Sequence, residues 1–131
     1  MILVPYYTSE SLSGPDVVSL IYDGSLRVTV ADAAGVTFQI GFPGVQAFRL
    51  SDEGDRLEFV YELSSQHKKP FALVYEVRDS SFISWLNDES NGIWASQPKQ
   101  HYVIVTNNDI IDVIARMEPG ISMGPSVVTP A

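Results

Sequence analysis

Four short apolar runs follow one another between residues 17 and 50, separated by turn signals, and they commit this part of the chain to antiparallel strands. Residues 17–22 (VVSLIY) are apolar and largely β-branched, and they end on Asp23-Gly24. An Asp-Gly pair between apolar runs predicts a hairpin with a type I′ turn, which needs positive φ at both central residues. On the return, Leu26, Val28 and Val30 alternate with Arg27 and Thr29. After a turn at residues 32–35, Val36, Phe38, Ile40 and Phe42 alternate with Thr37, Gln39 and Gly41, the period of a half-buried strand. Pro43-Gly44 then leads into residues 45–50. Strands joined by such short turns imply an antiparallel meander.

The next stretch supports two patterns. Read as a helix, residues 52–64 start behind a Ser51 or Asp52 cap, with acids in the positive first turn and an apolar stripe of Leu57, Val60 and Tyr61. Read as a strand, Leu57, Phe59, Tyr61 and Leu63 alternate with Glu58 and Glu62. The acids and glycine at its start favour a short helix. Residues 71–77 (FALVYEV) form a strand. Residues 80–89 change period, because Phe82, Trp85 and Leu86 sit at helical spacing behind a Ser80 or Ser81 cap. Residues 101–106 and 110–114 are the last apolar runs. The Asn107-Asn108-Asp109 between them favours a hairpin, with a helix opening at Asp109 as the alternative. Ile2, Leu3 and Val4 suggest a short edge strand. From about residue 118, prolines and glycines predict a loosely held tail.

The expected fold is therefore α+β: one domain over residues 1–131, a twisted, meander-rich antiparallel sheet of about six to eight strands, and one or two short helices. Its core should include Leu26, Val28, Val30, Phe38, Ile40, Phe48, Leu57, Leu73, Tyr75, Trp85, Tyr102, Ile104 and Val113. A meander leaves edges to cover, so a homo-oligomer that buries an edge strand is a further expectation.

Charge narrows the partners. Sixteen acidic against eight basic residues give a net charge of −8, which excludes the basic footprint that nucleic acid requires and suits a basic partner. No apolar run approaches the roughly 18 residues of a membrane span. The first residues, MILVPYYTSES, lack the basic start of a signal peptide. Without cysteine, disulfides and thiolate metal sites are excluded, and a cytoplasmic location is expected.

Candidate chemistry is sparse. The corner Asp52, Glu53, Asp55 offers oxygen ligands for a hard cation, but Gly54 breaks the EF-hand pattern, and acids at a helix start have a structural use. His67 and His101 lie in no zinc-binding spacing, and the serines form no GxSxG elbow. No glycine-rich nucleotide loop occurs. No catalytic residue, metal ligand or cofactor is assigned. Trp94 lies in a loop near Asp88 and Glu89, and a tryptophan rimmed by charge suits an interface. The partner-binding candidates are accordingly Asp52, Glu53, Asp55, Asp88, Glu89 and Trp94.

Three segments, residues 47–57 (AFRLSDEGDRL), 71–86 (FALVYEVRDSSFISWL) and 101–119 (HYVIVTNNDIIDVIARMEP), occur in an order that resembles small, acidic, uncharacterised bacterial α+β proteins carrying an FR-x-x-DEGD corner. The resemblance covers roughly residues 36–119. Some such proteins look like immunity proteins of bacterial toxin systems. The resemblance implies a non-enzymatic inhibitor that docks a basic, toxin-like protein through an acidic surface. The alternative is a small hydrolase or metal-dependent enzyme using Asp52, Glu53 and Asp55.

Overall fold

A computed structural model of the chain describes residues 1–9 and 12–124. Among these residues there are nine strands and two α-helices, so the α+β reading holds, with every strand pairing antiparallel. The strands are β1 (Ile2–Tyr7), β2 (Asp16–Tyr22), β3 (Leu26–Ala31), β4 (Thr37–Phe42), β5 (Val45–Asp52), β6 (Val74–Arg78), β7 (Gln100–Val105), β8 (Asp109–Ala115) and β9 (Gly120–Gly124). A 3₁₀ turn at Glu53–Asp55 precedes α1 (Leu57–Gln66), and α2 (Ser81–Glu89) lies between β6 and β7.

The strands divide into two sheets. The meander β2-β3-β4 forms one sheet with β9 at its far edge, while β5 leaves at Pro43-Gly44 and joins the other, ordered β1-β6-β7-β8-β5. Alternation explains how the sheets meet. Leu26, Val28 and Val30 of β3 and Phe38, Ile40 and Phe42 of β4 point inward, onto Tyr102, Ile104, Ile111 and Val113 of the larger sheet. The opposite face of the larger sheet carries a second apolar cluster, in which Tyr75, Val77, Val103 and Ile110 meet Phe59 and Leu63 of α1. The larger sheet is thus buried on both faces. That is why β8 is buried from Ile110 to its end and reads as a continuous apolar run, open to misreading as a helix.

Several expectations need correction. The Asp23-Gly24 hairpin forms, but Tyr22 pairs with Leu26 across three residues, and only Gly24 has positive φ, so the turn is not type I′. Asp52 caps the 3₁₀ turn by accepting the Gly54 N–H at 2.8 Å, and α1 itself starts later, behind Arg56. Its buried stripe is Phe59, Val60 and Leu63 rather than Leu57, Val60 and Tyr61. Leu57 and Tyr61 are 73% and 72% exposed, because Phe59 and Leu63 form an equally apolar i, i+4 pair that meets the sheet instead. In α2 the Ser80 cap forms and Phe82 is buried, yet Trp85 is 52% exposed and stacks on the outside of Phe82. Phe48 is only partly buried against the core. The expected loose tail contains β9, which pairs residue by residue with the free edge of β4 and sets Ile121 opposite Ile40. The rest of that tail, residues 125–131, lies outside the described residues.

Candidate functional site

Among the described residues, the most deeply buried polar or charged side chain is that of Asp112, in the middle of β8. Its alternation places it among Ile110 and Ile114 on the helix-covered face, where it is 1% exposed. A lone carboxylate there would be prohibitively costly, so it must be paired. Arg49, its cross-strand neighbour on β5, donates from Nε to Oδ2 at 2.9 Å. Arg56, at the start of α1, donates from Nη1 to the same oxygen at 2.6 Å. His101 of β7 lies with Nε2 2.7 Å from Oδ1. Because an ionised carboxylate only accepts, Nε2 carries the proton. In the neutral ring Nδ1 then accepts from the Ser80 hydroxyl, 2.6 Å away, and Ser80 Oγ in turn accepts the Ile83 N–H at 3.1 Å.

Burial by itself would raise the Asp112 pKa. The hydrogen bonds from His101, Arg56 and Arg49 outweigh it and hold the carboxyl well below the usual carboxylate range. Each guanidinium also covers an aromatic ring, Arg49 over Phe82 of α2 at 4.2 Å and Arg56 over Phe59 of α1 at 5.3 Å. One carboxylate therefore ties together the beginnings of both helices and the edge strand β5.

Ser80, His101 and Asp112 share the hydrogen-bond order of a serine hydrolase triad. Three features tie them to the packing of the helices. The hollow they border holds only ≈30 Å³, room for about one water and no acyl group. The Ser80 oxygen is occupied as the cap of α2. Asp112 divides its charge between two guanidinium groups as well as the imidazole. The network anchors the helices.

The residues singled out from the sequence fall into two groups at opposite ends of β5. Asp52 is its last residue and Glu53 and Asp55 follow it in the 3₁₀ turn, with Asp52 and Asp55 exposed and Glu53 half-buried. They lead into the exposed side chains of Leu57, Glu58 and Tyr61. Asp88 and Glu89 end α2, whose neighbouring Leu86 and Asn87 border Val45 and Gln46 at the start of β5. Trp94, in the turn that follows, is 53% exposed. Among the described residues, no three His, Asp or Glu side chains are gathered closely enough to hold a metal ion. Nor, among them, is any helix long and apolar enough to cross a membrane.

Sequence reasoning missed Asp112, Arg49, Arg56 and Ser80 as a set, and it passed over His101. A charged residue inside the apolar run IIDVIA was the available signal, since an unpaired charge cannot stay there.

A third feature runs along the outer edge of β5. A groove of ≈550 Å³ is lined by residues 45–49 and walled by Tyr22 on one side and Phe82 and Trp85 on the other. It continues, through Val45 and Gln46, into a second hollow of ≈470 Å³ that contains Trp94, Lys99 and Arg116. No protein-family model, curated protein or solved structure matches the chain.

Proposed function

We propose that this is a non-enzymatic binding protein, immunity-like in type, that docks a basic protein partner through the acidic surface at the 3₁₀ turn and α1. One observation carries the reading. Leu57 and Tyr61, one helical turn apart, stand out from α1 beside Glu58 and just after Asp52, Glu53 and Asp55. Large apolar side chains rimmed by like charges form the usual plan of a protein interface, with apolar anchors for affinity and charge for steering and selection. The Arg56–Asp112 bond holds the start of this helix in place, so the surface is preformed and binding costs little ordering. The lack of cysteine suits action in the cytoplasm.

The test is capture of partners from the source cell's lysate at low and high salt, with wild type compared against Tyr61→Ala and Glu58→Lys. The expected result is a basic protein whose capture weakens as salt rises and is lost with either variant. Both substitutions are on the surface and should leave folding stability within about 0.5 kcal/mol. Salt-insensitive capture, or capture indifferent to both variants, would remove this reading.

A further inference from the structure

We propose that the open edge of β5 is a second binding site, which takes an extended peptide as an added antiparallel strand and holds that peptide's C-terminal carboxylate at Arg116 and Lys99. The site is separate from the acidic surface on α1.

Four observations converge on it. First, among the described residues β5 ends its sheet, so the backbone N–H and C=O groups that point away from β8 are left for an incoming strand. The other three sheet edges are less suited. β1 contains Pro5, which cannot donate. β9 is short and has glycine at both ends. β2 lends Tyr22 to the groove over β5. Second, residues 45–49 form the floor of that groove, with a shift of register between Val45 and Ala47, and their length of at most ~16 Å leaves room for about four or five peptide residues. Its walls are aromatic, with Tyr22 and Trp85 both exposed and available to alternate side chains of a ligand.

Third, two cations line the hollow at one end of the groove, on the side where α2 ends in Asp88 and Glu89. Lys99 Nζ is bonded only to neutral oxygens, Asn87 Oδ1 at 2.9 Å and the Trp94 carbonyl at 2.8 Å. Arg116 is exposed, with its backbone fixed by the Gly44 carbonyl. Among the described residues neither cation has a carboxylate partner, although acids outnumber bases two to one in the whole chain. Fourth, the polarity agrees. The cations lie where β5 begins, and a strand added antiparallel to β5 ends at that point, so its free carboxylate arrives between them. The buried Gln46 Oε1 beside this end lacks a hydrogen-bond partner among the described residues.

The experiment selects from a library of random heptapeptides displayed with free C-termini, then measures the recovered peptide by fluorescence anisotropy. The expected ligand alternates apolar or aromatic residues. Its affinity should fall on the order of tenfold when its carboxylate is amidated, and similarly with Arg116→Glu, as loss of a charge-assisted contact implies. N-methylation at alternate ligand residues should abolish binding in one register and spare it in the other, because only every second N–H faces β5. Tyr61→Ala should change nothing. The proposal is overturned if no peptide is enriched. It is equally overturned if binding survives both amidation and Arg116→Glu, depends on an internal Asp or Glu instead of the terminus, or is lost in Tyr61→Ala.

Discussion

The corner at Asp52–Asp55 and the single carboxylate of Asp112 are built from the same chemistry and have opposite consequences. At the corner, the acids close a 3₁₀ turn with a side-chain cap that water could largely replace. Asp112 lies beneath both helices, with two arginines and a histidine committed to it. A dense cluster of charge at the surface stays solvated and contributes little to folding. One charge under the helices contributes to the position of everything above it. Burial, rather than the number of carboxylates, separates the two.

The hardest way to break this comparison is to remove Asp112. Asp112→Ala leaves Arg49 and Arg56 without their counter-charge and should cost about 3–5 kcal/mol, read as a lower midpoint in urea unfolding. Replacing the whole node with well-packed apolar residues would be much milder, which would show that the cost is that of stranded partners.

Acid should do reversibly what Asp112→Ala does permanently. The Asp112 pKa is depressed in the folded state, so the unfolded chain takes up the proton more readily and stability declines as pH falls. The contribution is complete above the ordinary carboxylate pKa of about 4 and is lost progressively below it. Urea midpoints measured from neutral pH downward should show this slope, and Asp112→Asn should flatten it.

The Ser80 hydroxyl offers a sharper distinction. Ser80→Ala removes the α2 cap and should cost about 1 kcal/mol in thermal or urea unfolding. A serine-directed fluorophosphonate should leave wild type unlabelled, because the hollow beside Ser80 admits no phosphonyl group. Labelling at Ser80 would turn the anchor into a nucleophile and end the contrast drawn above.

The smallest effects belong to the corner. Asp55→Ala should stay within about 0.5 kcal/mol of wild type, and Asp52→Ala should cost no more than about 1 kcal/mol through its cap. A large loss at either residue would mean that the corner, too, supports the fold.

Much of the fold was legible in the sequence. The alternation of β3 and β4 gave both their strands and their inward faces, since period-2 patterning needs only one wet and one dry side. The Ser80 cap and the apolar Phe82 located α2 in the same way. Faces were harder to assign where two stripes competed. Leu57/Tyr61 and Phe59/Leu63 are both apolar i, i+4 pairs, and only contact with the sheet decided which was buried. The strand β9 was hidden because glycine and proline signal looseness locally, whereas the free edge of β4 supplied the missing backbone partners. Of the candidate site residues, the exposed acids and Trp94 were visible as surface features. Arg49, Arg56, His101 and Asp112 were not, because strand pairing and the placement of α1 bring them together, the two arginines from 63 and 56 positions away from Asp112 and His101 from 11.

The sequence by itself determined that this chain makes strands from its early runs, turns at its glycines, and carries an acidic surface. Those properties follow from backbone geometry, solvation and charge within a few residues. Only the tertiary structure decided that the strands part into two sheets at Pro43-Gly44 and that the larger sheet is buried on both faces. It also decided that an aspartate inside an apolar run becomes the tie between two helices. A charge can be kept there only where distant partners converge on it, and convergence is a property of the assembled fold.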